Sequence, residues 1–61
     1  MIIDFEEVKK IYNEVIRLKN ENNQLKILYN SEKNKQNQME LFMKIRINER
    51  EINKKINEIE G

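Results

Sequence analysis

The sequence predicts an all-α fold: an antiparallel helical hairpin that assembles as a coiled-coil or four-helix-bundle dimer. Three observations carry this. The chain has no proline, and its only glycine is the terminal Gly61, so turn-rich sheet structure is disfavoured. Apolar residues recur at steps of three and four in two stretches, the spacing of a helix face. The two stretches also match each other in reverse order, across a segment with no apolar side chain. The expectation is a single domain over 1–61, with a helix over 4–29, a polar turn over 30–37 and a second helix over 38–60. The alternative is a long helix with a register break, in a parallel two-stranded coiled coil.

The first helix has a recognisable start. Asp4 is an N-cap residue and Glu7 is the acid of a capping box, while Ile3 and Val8 can form a hydrophobic staple around them. Glu6 and Glu7 also favour the positive end of the helix dipole. Val8, Ile11, Val15, Leu18, Asn22, Leu25 and Tyr29 follow as a heptad seam, with Val8, Val15, Asn22 and Tyr29 at a and the others at d. Asn22 is the one polar residue in it, and a single a-position Asn sets register at some cost in stability. This stretch resembles a leucine zipper. A DNA-binding zipper would carry a basic region before the seam, where this chain has Asp4, Phe5, Glu6 and Glu7. Phe5, Tyr12 and Ile16 widen the stripe beyond what two strands need, so they form a possible partner site.

Residues 30–38 carry no apolar side chain. Asn30 can close the first helix, and Asn37 with Glu40 can open the second through another capping box. Phe42, Ile45, Ile52, Ile56 and Ile59 then continue the seam, with Glu49 at one a position. The heptad has slipped by one residue relative to the first helix, which argues against one uninterrupted coil. When the chain folds back, Val8 falls level with Ile59, Ile11 with Ile56, Val15 with Ile52, Asn22 with Ile45, and Leu25 with Phe42. The turn then centres between Lys33 and Asn34. Glu14 falls beside Lys55 and Leu28 beside Leu41, whereas Lys19 beside Arg46 is a repulsive pairing. The predicted oligomer interface is the two seams, Val8 to Tyr29 and Phe42 to Ile59.

The chain is short at 61 residues and has no cysteine or histidine. A domain of this size buries little surface, and with no disulfide or metal to brace it, self-association is the remaining route to stability. The same absences remove the common nucleophiles, bases and metal ligands, so no enzyme activity, cofactor, metal or small-molecule substrate is expected. Ser31 reads as a turn or cap residue. Met39 and Met43 read as core filler. Acids interleave with the basic spots Lys54-Lys55 and Lys44/Arg46/Arg50, and the formal charge is +1, so nucleic acid is disfavoured as a partner. No apolar run is long enough for membrane insertion and no secretory signal is visible, so the expected compartment is cytoplasmic. The expected partner is a second copy, and the expected role is structural: assembly or oligomerisation through protein–protein contacts. The competing role is that of a small inhibitor or adaptor binding one other protein through a helix face.

Overall fold

The computed structural model describes residues 4–60. Two helices, α1 (Phe5–Ser31, 27 residues) and α2 (Lys35–Glu60, 26 residues), pack against each other as a hairpin. The long-helix alternative is not realised. A loop of 32–34 reverses the chain where the apolar seam lapses, so the reversal exposes no side chain that needs burial.

Each helix start is capped by short polar contacts. Asp4 has extended backbone, and its carboxylate accepts from the Glu6 amide at 3.2 Å. A capping box would use the amide of Glu7 instead. The expected staple residue Ile3 lies outside the described residues. At the turn, α2 starts earlier than its sequence suggested. Asn34, not Asn37, caps it: the Asn34 Oδ1 accepts from the amides of Gln36 at 2.9 Å and Asn37 at 3.2 Å. Two donors that a helix start leaves unpaired are thereby satisfied. The Asn34 amide donates to the Glu32 carboxylate at 3.1 Å, and Gln38 Nε2 donates across the turn to the Tyr29 carbonyl at 3.1 Å. α1 correspondingly runs past Tyr29 and Asn30 to Ser31, whose hydroxyl donates to the Leu28 carbonyl at 3.1 Å.

The core is narrow. Val15, Leu18, Ile45 and Ile52 are the buried apolar residues, and Val15, Leu18 and Ile52 form one cluster with Ile56 packed against it. Val8, Ile11, Leu25, Tyr29 and Ile59 are half-buried along the same seam. Towards the turn the seam shifts sideways. Phe42, expected at its centre, is 46% exposed, and the half-buried residue there is its neighbour Leu41. Phe42 lies against Tyr29 instead, with ring centroids 6.3 Å apart and planes tilted by 44°. Met39 and Met43, expected as core filler, are both exposed.

Candidate interaction surface

Asn22 is the only buried polar residue described, at 4% exposure. Its Nδ2 donates to the Ile45 carbonyl at 3.1 Å, and its Oδ1 accepts from Asn48 Nδ2 at 2.8 Å. Asn48 Nδ2 also reaches the Glu21 carboxylate at 3.0 Å. The sequence placed Asn22 level with Ile45, and the first of these bonds joins those two residues. Asn48 was not singled out, because its position flanking the seam carries no apolar signal. Among the described residues, no buried side-chain nitrogen or oxygen lacks a hydrogen-bond partner.

The two long sides of the hairpin differ. The side bearing Glu14, Glu21 and Asn48 is polar and internally paired. Arg17 bonds Glu14 at 2.9 Å and Glu21 at 3.5 Å, the ion pairs found among the described residues. The hydrogen bond from Arg17 and its positive charge hold the Glu14 carboxyl below its ordinary range, with a smaller contribution from the charge of Lys55. Lys55 thus acts on Glu14 across the hairpin, the pair that the folded-back register aligns.

The opposite side is a long shallow groove with apolar ends and a charged waist. At the open end of the hairpin Tyr12, Val15 and Ile16 face Ile56 and Ile59 across the groove. The waist is lined by Lys19, Asn22, Lys26, Glu49 and Asn53. At the turn end it is lined by Tyr29, Gln38, Met39 and Phe42, with Phe42, Met43 and Arg46 continuing outward. Phe5 and Tyr12 are 70% and 60% exposed, and Ile16 is also exposed. The structure therefore brings Tyr12 and Ile16, from the possible partner site, to one groove and leaves them uncovered by α2. Ile27 and Ile47 are exposed as well. Ile27 sits on the helix face turned away from the seam by its heptad position, whereas Ile47 lies with Met43 and Arg46 at the outer edge of the turn end.

Among the described residues, no cluster of acids has the arrangement of a metal site, and no helix is long and apolar enough to cross a membrane. No protein-family model matches the chain, and no curated protein and no solved structure matches it either.

Proposed function

We propose that the hairpin is a self-associating structural module, which multimerises through protein–protein contacts along the groove side. One observation carries the reading. Among the described residues only four apolar side chains are buried, while nine large hydrophobic side chains are exposed, and six of those nine border the groove side: Tyr12, Ile16, Met39, Phe42, Met43 and Ile47. Exposed apolar area concentrated on one side marks an interaction surface. A hairpin of this size gains the burial it lacks when a second copy covers that side.

The test combines size and stability. The helical signal should melt at a temperature that rises with protein concentration, and sedimentation should give a dimer mass. Tyr12→Ala and Ile16→Ala should each weaken the dimer. A melting temperature constant over a hundredfold dilution, with a monomer mass, would rule the reading out.

A second reading rests on Ile27, which is exposed and lines none of the hollows of the groove side. A dimer formed through the groove leaves it uncovered, which favours a small adaptor or inhibitor that grips another protein through an outer helix face. If so, Ile27→Ser abolishes capture of that protein and leaves dimer mass and melting unchanged.

A further inference from the structure

We propose that a second copy covers the groove in one specific orientation, with the two turns at the same end and α1 of each hairpin lying over α2 of the other. The proposal rests on the self-association just argued and specifies its geometry.

Area sets the first condition. The Cα trace extends 48 Å by 15 Å, so the groove side offers roughly 700 Å², near the ~800 Å² per partner of a standard interface. One further copy laid along the full length is what this side accommodates.

Charge selects the orientation. Two hairpins can meet groove to groove about an axis across the helices, which sets α1 on α1 with turns at opposite ends. They can also meet about an axis along the helices, which sets α1 on α2 with turns together. Both give antiparallel neighbours throughout, so helix packing does not choose. The strip that α1 contributes, from Phe5 and Lys9 through Tyr12, Ile16, Lys19 and Asn23 to Lys26, contains cations and no acid. Laid on its own copy, it sets lysine against lysine near the axis, and the α2 strips bring Arg46 towards the partner's Arg50. Laid on α2, it meets the acids of the groove side, Glu49 at the waist and Glu60 at the open end.

This second arrangement has no adjustable axial offset. An axis along the helices keeps every residue at its own height, so the hairpin register alone decides who meets whom. The Asn22–Ile45 bond fixes that register. It puts Lys19 within about one residue of the height of the partner's Glu49, and Lys9 within about two residues of the partner's Glu60, or 1.5–3 Å at the helical rise. Lys19 and Glu49 line the same waist and form no ion pair with each other inside the hairpin. Both therefore remain available to a partner. Of the two α2 cations near that height, Arg46 lies over the Phe42 ring at 5.9 Å, drawn towards the turn and away from the partner's Lys19, and Arg50 lines the outer hollow with Met43 and Ile47, not the waist. Each apolar end then packs on its own copy: Tyr12 and Ile16 at one end, Met39 and Phe42 at the other.

Two measurements on the full chain test this. The protein lacks cysteine, so Lys33→Cys places a single spin label at the tip of the turn. In the proposed dimer the two labels lie within about 20 Å, allowing for hairpins packed at ordinary helix spacing. With turns at opposite ends they lie about 40 Å apart at the helical rise. The second measurement uses Lys19→Glu and Glu49→Lys as separate proteins. Each homodimer gains two like-charge contacts and should bind roughly tenfold more weakly. An equimolar mixture should recover the lost affinity as a heterodimer, because both contacts become attractive again. The clash that each variant introduces within its own hairpin is unchanged by mixing, so recovery reports on contact between chains. A short label distance with recovery on mixing supports the proposal. A dimer with the long distance, or one that mixing does not restore, overturns the orientation and leaves self-association standing. A monomer at every concentration overturns self-association itself.

Discussion

Asn22 pins the axial position of α1 on α2 more sharply than its apolar neighbours, because a hydrogen bond has a direction and apolar burial does not. Removing it orphans nothing. The Ile45 carbonyl lies within α2 and keeps its helical amide, and Asn48 keeps the Glu21 carboxylate at 3.0 Å. Replacing a satisfied buried amide by an apolar side chain of similar size is then close to neutral or stabilising. Asn22→Val should raise the melting temperature and broaden the distribution of registers or oligomers. A fall in melting temperature with one sharp species in sedimentation would show instead that the bond itself stabilises the core. Asn34 works differently, since it satisfies amides that have no other protein partner. Asn34→Ala should cost about 1 kcal/mol and Asn34→Gly only a few tenths. The first corresponds to a drop of roughly 4–8 °C in a domain of this size, read from thermal melts at one fixed concentration.

At the scale of the helices, the two halves of the seam carry unequal weight. The buried cluster of Val15, Leu18 and Ile52 lies in the half nearer the open end, whereas near the turn Phe42 leaves the seam and polar contacts from Gln38 and Asn34 hold the chain reversal. Truncation should follow this division. Leu18→Ala should destabilise by roughly 2–5 kcal/mol, the cost of a cavity in a packed site. Ile47→Ala should change stability by no more than about 0.5 kcal/mol, as expected of an exposed side chain away from any special contact. Denaturant titrations of the two variants against the parent give both values. Equal effects would mean that Ile47 is covered in the assembled protein.

The whole molecule should respond to pH in one direction. It has no histidine and no cysteine, so no ordinary side chain titrates between about pH 5.5 and 8. Glu14 has its folded-state pKa held below the ordinary value of 4.5 by the Arg17 bond. Its contribution is therefore fully present above that value and is lost as pH falls through the depressed one. As the other carboxylates protonate, the charge climbs towards that of the twelve Lys and Arg residues, and self-repulsion adds to the loss. Melting temperature followed by circular dichroism should be level from pH 8 to about 5.5 and fall below 4.5. An inflection between pH 6 and 7 would require a group whose titration nothing here provides.

Helix formation and the register in which the two seams would pair were legible in the sequence, which favoured the hairpin over the long helix without deciding between them; the packing of α1 on α2 decided it. Heptad spacing is a local property, and the one-residue slip between the seams, together with the polar gap, already disfavoured one continuous coil. The pairing of Asn22 with Ile45 followed from counting alone, because opposed heptads leave few ways to align. The cap and the two sides came from the folded chain. The sequence pointed to Asn37 as the cap, but the turn closes over three residues and Asn34 takes that place, with Gln38 reaching the Tyr29 carbonyl across it. Phe42 satisfies the heptad, yet a large ring at the turn packs on Tyr29 at the groove edge while Leu41 moves inward. The division between a paired polar side and an apolar groove is likewise invisible in the seam itself. It depends on flanking residues from both helices, such as Glu21 with Asn48 or Tyr12 with Ile56. Those residues are far apart along the chain, and only the packing of α1 on α2 brings them to one surface.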